Sequence, residues 1–443
     1  MKIVILAGGK SERIAPFSEK PLLKICGKTL IRHQLEMLAE AGGRDFLIIG
    51  NSKNLTGLRE EGEKFWRECP WMANDELKID YAEQVIDEGS AGALKSAENK
   101  LGDEGLMIVS SNDILEMSAY TTMLEMIEEN PGSSVVLGQQ IEKYFPGGYL
   151  VVNHKDELEK IVEKPGEGNE PSDFINIVVH FHPNSKELMG FIQRAESEVD
   201  DLYETSLQMM INEGKRVIVA RYNGKWQAIK FPWHIYDASK MLFEKEMKMR
   251  GTKDDVRLIA SDLRKAESAL IKGDVIIENG VRIMENSVII GPAYLGRNVV
   301  ICNNSLVRES FIGDESLIGF ASEIARSYLA ERVTTHSNYI GDSILGKNVT
   351  FGEGSVTGNL RLDEKAVKVE IKGQKIDSGR HKLGLIAGNN VHIGINVSLM
   401  PGVKIGCNTM IAGGVLVDRD IPEGKFVKLK NDLEIRDNLE LLR

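Results

Sequence analysis

The chain has 443 residues, of which 42% are hydrophobic and 27% charged, and its formal net charge is −11. The length exceeds that of one ordinary domain and the composition is that of a globular protein, so we expect two or three domains. The acidic balance provides no basic block that could neutralise a phosphate backbone, which argues against a general nucleic-acid-binding role.

The spacing of the cysteines and the hydropathy pattern indicate the cellular compartment in which the protein resides. Cys26, Cys69, Cys302 and Cys407 are widely separated along the chain, a spacing that predicts neither a disulfide framework nor a zinc site. The first residues read as a buried strand instead of an export leader, and no apolar run approaches the roughly 18 residues of a membrane span. We therefore expect an unexported, cytoplasmic protein that does not contact a membrane.

A glycine loop follows the first predicted strand. Residues 2–7 form an apolar strand that runs into Gly8 and Gly9, and Arg13 and Lys20 follow shortly after. The backbone amides of a glycine turn can approach an anion closely, and the two basic side chains add positive charge. The loop therefore predicts a nucleoside triphosphate site in which Arg13 and Lys20 stabilise the phosphates during transfer.

Short apolar strands alternate with helices through the first half of the chain. This alternation predicts a mainly parallel sheet flanked by helices, a Rossmann-like α/β domain over residues 1–232. Ligands of such sheets bind at the carboxyl ends of the strands, where the glycine loop falls. Besides the first strand, the clearest predicted elements are helix 29–41, strand 45–50, helix 89–100 and strand 106–110.

A carboxylate suited to a divalent metal follows the strand 106–110. Asp113 ends the run Ser111-Asn112-Asp113. Because Mg²⁺ prefers oxygen ligands, we expect Asp113 to hold a Mg²⁺ ion that bridges the phosphates. The alternative is that the Asn-Asp pair is an ordinary turn or a helix cap.

The pattern changes twice in the second half. Residues 233–271 are helical and charged, and we interpret them as a connecting arm without chemistry. Beyond residue 272 an aliphatic residue recurs at every sixth position, which is typical of a parallel β-helix whose coils bury one another's apolar rows. We place this domain at 272–430 and a tail at 431–443. The regular rungs include Ala387, Ile393, Leu399, Ile405, Ile411 and Val417.

One histidine and one polar loop interrupt the repeat. His336 lies on a turn that enters the ladder, where a neutral imidazole could take a proton from an amine that attacks a thioester. The alternative is a structural histidine. Polar residues over 359–380 break the six-residue rhythm, and a long loop that interrupts a solenoid is usually functional. Its lysines, Lys365 and Lys368, suit a phosphorylated sugar.

These patterns resemble two known families. The glycine loop, with Lys20-Pro21 ahead of Gly27-Lys28, is similar to the sugar-1-phosphate nucleotidylyltransferases, and the repeat is similar to left-handed β-helix acyltransferases, which are usually trimers. As a whole the chain resembles the archaeal-type bifunctional sugar-1-phosphate nucleotidylyltransferase/acetyltransferases, relatives of N-acetylglucosamine-1-phosphate uridylyltransferase.

The resemblance implies two activities in a homotrimer formed through the β-helix. The C-terminal half would acetylate glucosamine-1-phosphate with acetyl-CoA. The N-terminal half would then transfer a nucleotidyl group from UTP to N-acetylglucosamine-1-phosphate, with Mg²⁺ as cofactor and release of pyrophosphate. The residues implied are Ala7, Gly8, Gly9, Gln84, Gly89 and Ser90 for the nucleotide; Gly148, Glu163 and Asn176 for its sugar phosphate; His336 as the base, with Tyr339, Asn359, Lys365 and Lys368, for the amino sugar phosphate; and Ala387, Gly413 and Lys430 for acetyl-CoA.

Three departures from the family pattern affect the first half. Ser11-Glu12 stands where relatives have Gly-Thr, Ala228 replaces an aspartate that serves as second metal ligand, and Lys230 replaces a glycine and could contact phosphate directly. A regulatory or scaffold subunit with a noncatalytic first domain is therefore an alternative, as is transfer from dTTP to glucose-1-phosphate. The choices between UTP and dTTP, and between glucosamine and galactosamine phosphate, stay open.

Overall fold

The computed structural model describes residues 1–69, 77–199, 201–250 and 257–430. The chain forms two units, Met1–Met249 and Arg250–Arg443. The tail predicted at 431–443 lies outside the described residues. Within the described residues, no helix is both long and apolar enough to cross a membrane.

The first unit is built on a nine-stranded sheet with the first strand near its centre. Lys2–Leu6 pairs in parallel with Asp45–Gly50 on one side and Leu106–Ser110 on the other. Its residues alternate between the two faces, so that Ile3 and Ile5 pack in one apolar core and Val4 in the other. In sheet order the strands are Leu158–Glu163, Gly148–Val152, Phe174–His182, Leu106–Ser110, Lys2–Leu6, Asp45–Gly50 and Lys78–Glu83, with Ser134–Gln140 paired to Phe174–His182 and Val217–Arg221 paired to Ser134–Gln140.

The expectation of a mainly parallel sheet holds for Lys2–Leu6 and its neighbours and for Val217–Arg221, which pairs in parallel with Ser134–Gln140, but not for the strands between them in the sheet. Phe174–His182 pairs antiparallel with Leu106–Ser110, Ser134–Gln140 and Gly148–Val152. Gly148–Val152 and Leu158–Glu163 also pair antiparallel, because the connection between them is too short for a crossover helix. The sheet is therefore mixed, and its parallel part carries the glycine loop.

Helices cover both faces of this sheet, and the unit also contains two small antiparallel pairs of strands. The first predicted helix begins after Thr29, whose side chain accepts a hydrogen bond from the Arg32 amide at 3.3 Å and so caps the helix. The helices are Leu30–Glu40, Leu55–Glu68, Gly89–Ser96, Glu98–Leu101, Met117–Glu129, Ser185–Arg194, Leu202–Asn212 and His234–Arg250, with 3₁₀ turns at Glu12–Ile14 and Lys20–Leu22. Lys24–Ile25 forms a hairpin with Lys28–Thr29, and Asp113–Leu115 pairs with Trp226–Ala228, a strand that comes much later in the chain.

The helical arm predicted over 233–271 is helical only in its first part. The helix His234–Arg250 is held to the first unit by buried Glu246, whose Oε1 lies 2.9 Å from Lys28 Nζ. Strands that pair with the β-helix begin at Arg257–Ile259, well before residue 272. Charged residues in this stretch obscure the six-residue pattern, so the start of the repeat predicted from the sequence is too late.

The second unit is a parallel β-helix with three faces. The six rungs named from the sequence are all buried in its core, and each six-residue step moves the chain to the next face. Full burial of one such aliphatic side chain contributes about 2 kcal/mol. The first face comprises Arg257–Ile259, Val275–Ile277, Ala293–Leu295, Phe311–Ile312, Tyr328–Leu329, Ile344–Leu345, Ile386–Ala387 and Lys404–Ile405. The second face comprises Arg264–Lys265, Arg282–Ile283, Val300–Ile301, Leu317–Ile318, Thr350–Phe351, His392–Ile393, Met410–Ile411 and Phe426–Val427. The third face comprises Leu270–Lys272, Val288–Ile290, Leu306–Arg308, Glu323–Ala325, Tyr339–Gly341, Val356–Thr357, Ser398–Leu399 and Leu416–Val417.

Asparagines stabilise the corners of the coils. Asn348, Asn390 and Asn408 adopt φ values of 56–57°, a left-handed conformation that asparagine tolerates better than most residues. Their side chains form a ladder, with Asn348 Nδ2 2.8 Å from Asn390 Oδ1 and Asn390 Nδ2 2.9 Å from Asn408 Oδ1. The predicted polar loop leaves the coils after Val356–Thr357 and contains a hairpin of Lys368–Ile371 with Gln374–Asp377.

Candidate active sites

The glycine loop packs directly against the residues predicted to recognise the base. A Cβ atom added to Gly8 would lie 2.2 Å from Gln84 Oε1, so a larger residue there would displace the Gln84 side chain. Gln84 Nε2 donates to the carbonyl oxygens of Ile86 and Gly89, both at 3.1 Å. Gly8, Gln84 and Gly89 therefore lie together, as the resemblance implied.

Two asparagines that the sequence reasoning missed hold this loop. Asn51 Nδ2 donates to Gly8 O at 3.0 Å, and Asn54 Nδ2 donates to Ala7 O at 2.8 Å. Asn51 comes directly after the strand Asp45–Gly50, at the sheet edge where ligands are expected. Its position after a parallel strand was the signal that could have identified it.

Ser11 and Glu12 are compatible with the loop despite their departure from the family pattern. Ser11 adopts a φ of 57°, the left-handed conformation that glycine takes most easily. The Glu12 side chain is exposed. The backbone therefore follows a glycine-like course at Ser11.

Asp113 lies in a two-stranded antiparallel sheet that also contains Ala228. Cα pairing between the two strands sets Asp113 directly opposite Ala228, and the indole Nε1–H of Trp226 donates to Asp113 Oδ1 at 2.9 Å. Burial raises the pKa of Asp113, and the Trp226 hydrogen bond opposes that shift. Position 228, where relatives of the resembled family have a second metal ligand, carries only a methyl group.

Two lysines supply positive charge beside Asp113. Burial lowers the pKa of Lys20 to about 8, against the opposing attraction of the Asp113 carboxylate. Burial likewise lowers the pKa of Lys230 to about 7, and Asp113 and Glu163 again oppose the shift. The Lys230 ammonium donates to Pro146 O and lies 3.7 Å from the centroid of the Phe145 ring. Both ammonium groups are poorly solvated, so an incoming phosphate would interact with them strongly.

The residues predicted to hold the sugar phosphate meet on three neighbouring strands. A Cβ atom at Gly148 would lie 2.9 Å from Glu163 Oε2 and 3.4 Å from the Asn176 Cβ. Glu163 Oε1 pairs with Lys164 Nζ at 2.8 Å. The lack of a side chain at Gly148 therefore lets the Glu163 carboxylate and the Asn176 amide lie close to this strand and to each other.

One cleft of about 220 Å³ joins most of these groups. Its lining includes Gly89 and Ser90, which were predicted for the nucleotide, Glu163 and Asn176, which were predicted for the sugar phosphate, and Asp113, which was predicted for the metal. Arg13 is exposed and interacts electrostatically with Lys20 and Lys230. The structure thus brings the predicted nucleotide, metal and sugar residues of the first unit to one place.

In the second unit, a polar row connects two of the predicted sugar-binding residues. Asn359 Nδ2 lies 3.1 Å from the Tyr339 hydroxyl and 2.5 Å from Asp342 Oδ2. Arg326 donates to both Asp342 oxygens, at 2.7 and 2.8 Å. Asp342 and Arg326 were not predicted, although Asp342 ends the stretch that begins at His336. This bidentate pair fixes Asn359 and, through it, the orientation of Tyr339.

The His336 side chain is exposed at a corner of the β-helix. Its backbone is held on both sides, since its amide donates to Asn338 Oδ1 at 2.7 Å and its carbonyl accepts from the Ser322 hydroxyl. Lys365 and Lys368 are also exposed, on the polar loop. The imidazole is therefore accessible to a substrate, and its role as the base stays a prediction.

The residues predicted to bind acetyl-CoA are less favourably placed for contact with a ligand than those predicted to bind the amino sugar phosphate. The Ala387 side chain is fully buried in the core, so only its backbone is left for a ligand. Gly413 and Lys430 are exposed on later coils. Whether these three residues contact acetyl-CoA stays a prediction.

Comparisons with known proteins identify the family of each unit. Residues 2–244 match the family described as nucleotidyl transferase, and residues 274–309 match the family described as bacterial transferase hexapeptide (six repeats). A bifunctional sugar-1-phosphate nucleotidylyltransferase/acetyltransferase of Sulfurisphaera tokodaii is 32% identical, over 97% of this chain and 100% of that protein. The bifunctional proteins GlmU of Methanocaldococcus jannaschii and Methanococcus maripaludis are each 32% identical, over 98% of this chain and 99% of their own length.

The hexapeptide match identifies the second unit as a left-handed β-helix of hexapeptide repeats. The nucleotidyl transferase match covers the unit that carries the glycine loop and the cleft. By full-length similarity, the chain belongs to the family of bifunctional sugar-1-phosphate nucleotidylyltransferase/acetyltransferases.

Proposed function

We infer that the first unit transfers a uridylyl group from UTP to N-acetylglucosamine-1-phosphate, giving UDP-N-acetylglucosamine and pyrophosphate. The observation that carries this inference is the cleft whose lining combines Asp113 with residues predicted for the nucleotide and for the sugar phosphate. The relatives named GlmU support it. A phosphate oxygen of the sugar phosphate attacks the α-phosphorus, and the bond from that phosphorus to pyrophosphate breaks. Lys20, Arg13 and Lys230 stabilise the negative charge that moves to the leaving group.

The residues fit a magnesium ion that arrives with the nucleotide better than one held by the protein alone. Asp113 offers a carboxylate, one oxygen of which already accepts a hydrogen bond from Trp226. Ala228, directly opposite, offers no ligand. Mg²⁺ would supply charge neutralisation between the phosphates. Asp113 would hold it, while Lys20 and Lys230 provide fixed positive charge from the other side.

The second unit acetylates the amine of glucosamine-1-phosphate. The neutral amine attacks the thioester carbon of acetyl-CoA, and His336 takes the proton that the nitrogen loses. The carbon–sulfur bond then breaks and CoA leaves as the thiolate, which is protonated. Tyr339 and Asn359, fixed by Asp342 and Arg326, orient the sugar. Lys365 and Lys368 bind its phosphate.

A homotrimer formed through the β-helix and a cytoplasmic location belong to the same proposal. Large apolar side chains are exposed on the outer faces of the coils, which supports burial against further copies of the chain. The described cysteines are free, as in a reducing compartment. The exposed apolar residues of the coils include Leu317, Phe320, Val356, Ile395, Met410, Leu416 and Phe426.

Two product assays test this function. Pyrophosphate release is measured with UTP or dTTP and several sugar phosphates, with Mg²⁺ and after chelation, and free CoA is measured with acetyl-CoA and glucosamine- or galactosamine-1-phosphate. We expect release of both products, with UTP preferred. No pyrophosphate with any pair would make the first unit noncatalytic, as Ala228 allows. No CoA with any amino sugar would remove the acetyltransferase.

A further inference from the structure

Five buried side chains of the first unit form one continuous row of hydrogen bonds that ends at the cleft. Ser134 Oγ lies 3.0 Å from His182 Nδ1, and His182 Nε2 lies 3.0 Å from the Tyr203 hydroxyl. The same hydroxyl lies 2.9 Å from His180 Nδ1, and His180 Nε2 lies 2.8 Å from Asn176 Oδ1. None of the five residues is more than 8% exposed. A buried, fully connected row of this kind holds its members in one arrangement.

The two histidines in the row are neutral. Burial lowers the pKa of His180 and that of His182 to about 3, so each ring carries one N–H and one lone pair at neutral pH. The Tyr203 hydroxyl has one proton, and it therefore donates to one ring and accepts from the other. The two rings must consequently share a tautomer, both protonated on Nε2 or both on Nδ1.

Ser134 decides between these two states. With both rings protonated on Nε2, the serine hydroxyl donates to His182 Nδ1 and every proton of the row has an acceptor. With both protonated on Nδ1, the serine would accept from His182, and its own proton would lack an acceptor among the described residues. A buried donor left without a partner is costly. The row therefore runs from Ser134 towards Asn176, and His180 Nε2–H donates to Asn176 Oδ1.

This direction fixes which end of the Asn176 amide faces the cleft. With its oxygen held by His180, the amide presents Nδ2–H, and a Cβ atom at Gly148 would lie 3.7 Å from that nitrogen. The same Cβ atom would lie 2.9 Å from Glu163 Oε2. Asn176 and Glu163, which both line the cleft, thus present a hydrogen-bond donor and an acceptor close to each other.

We propose that His180, Tyr203 and His182 are positioning residues that hold the Asn176 amide as a donor to an oxygen of the bound sugar phosphate. The proposal rests on the nucleotidyl transfer inferred above and specifies how its sugar end recognises a ligand. The group that meets Asn176 is a hydroxyl or carbonyl oxygen, because an ammonium group cannot accept a hydrogen bond.

The variant Tyr203→Phe tests the proposal, since it removes the hydroxyl that couples the two rings and keeps the aromatic ring. We expect the KM for the sugar phosphate to rise about tenfold, while the KM for the nucleotide and kcat change less than about twofold. Asn176→Asp, which replaces the donor by an acceptor, should raise the same KM at least as much. The matched control is Ser239→Ala, which removes another fully buried hydroxyl, bonded to Ile235 O at 2.7 Å, and should leave both KM values unchanged.

A second measurement does not depend on turnover. In the full-length protein labelled with ¹⁵N-histidine, the proposal predicts that His180 and His182 are both neutral and protonated on Nε2. The signals are assigned by comparison with His180→Gln and His182→Gln. Protonation of either ring on Nδ1 would overturn the proposal, as would an unchanged sugar KM in a folded Tyr203→Phe protein. If wild-type protein transfers no nucleotide at all, the proposed function fails, and the tautomers still decide the direction of the row.

Discussion

The two units place their chemistry in opposite environments. In the first unit, the histidines at 33, 180 and 182 are buried, and burial lowers the pKa of each to about 3. In the second unit, His336 is exposed at a corner of a repetitive coil. In the α/β unit, the buried polar residues therefore contribute to folding stability as well as to the site. In the β-helix, the site lies on the surface, and the stability of the apolar core does not depend on it.

This difference follows from architecture. A sheet with helices on both faces must enclose the polar groups that shape its cleft, and each enclosed group needs a partner. A solenoid buries only one aliphatic row per face, so its polar residues can vary on the outside. Changes to the site should consequently perturb folding in the first unit and catalysis alone in the second.

The largest expected effect is on acid stability of the first unit. Its buried histidines are neutral when folded and take up protons when unfolded, so their stabilisation is complete above pH 6.5 and is lost as the pH falls from 6.5 towards 3. For three such groups the free energy of unfolding should fall by about 4 kcal/mol per pH unit near pH 5.

Tryptophan fluorescence in urea measures this loss selectively. All four tryptophans lie in the first unit, at positions 66, 71, 226 and 233. Between pH 7 and 8, titration of these histidines should leave the urea midpoint almost unchanged. Below pH 6 the midpoint should fall steeply. A midpoint that stays constant down to pH 4.5 would contradict the buried, neutral state of these rings.

The next largest effect is expected for His336→Ala. Loss of the base should lower kcat for acetyl transfer by about 10³-fold without changing the unfolding midpoint or pyrophosphate release, because the side chain is exposed. The control is His154→Ala, which removes an exposed histidine of the first unit. Equal loss of acetyl transfer in both variants, or no loss in His336→Ala, would remove His336 from the mechanism.

Lys20→Ala should lower nucleotidyl transfer by roughly 10²- to 10³-fold, because a preorganised cation beside the phosphates is lost. CoA release should be unaffected. Lys160→Ala, at an exposed lysine of the same unit, serves as the control. Retention of wild-type pyrophosphate release in the Lys20 variant would show that the glycine loop does not bind the triphosphate as inferred.

The smallest effect is expected for Ala228→Asp. Two carboxylates facing each other on paired antiparallel strands should repel without metal and bind Mn²⁺ about tenfold more tightly than the wild type does. Titration of Mn²⁺ by electron paramagnetic resonance measures the affinity, and the thermal midpoint with and without metal measures the repulsion. Ala228→Val, which adds bulk without a ligand, should bind as the wild type does. Unchanged Mn²⁺ affinity in the aspartate variant would mean that positions 113 and 228 do not share an ion.

Much of this organisation could be predicted from short, local patterns. The glycine loop, the strand before it and the six-residue rungs depend on neighbours in sequence, and the structure confirms them. The start of the β-helix was placed too late, because the first coils present charged residues such as Arg264 and Lys265 where later coils present more apolar ones.

Contacts between distant residues could not be predicted in the same way. Ser134 and His182 come from separate strands and contact each other directly, and Tyr203 on a helix joins His182 to His180. Asp342 and Arg326 meet only because successive coils stack. Such pairs depend on tertiary packing, and a single sequence carries no periodic signal for them.

We infer that one chain carries out both acetyl transfer and nucleotidyl transfer. The most direct test is to measure the mass of the product. Wild-type protein is supplied with glucosamine-1-phosphate, acetyl-CoA, UTP and Mg²⁺, and sugar nucleotides are followed by mass spectrometry over time. We predict UDP-N-acetylglucosamine as the final product, preceded by N-acetylglucosamine-1-phosphate. Accumulation of the acetylated sugar phosphate without any sugar nucleotide, or formation of a sugar nucleotide that is never acetylated, would contradict the account.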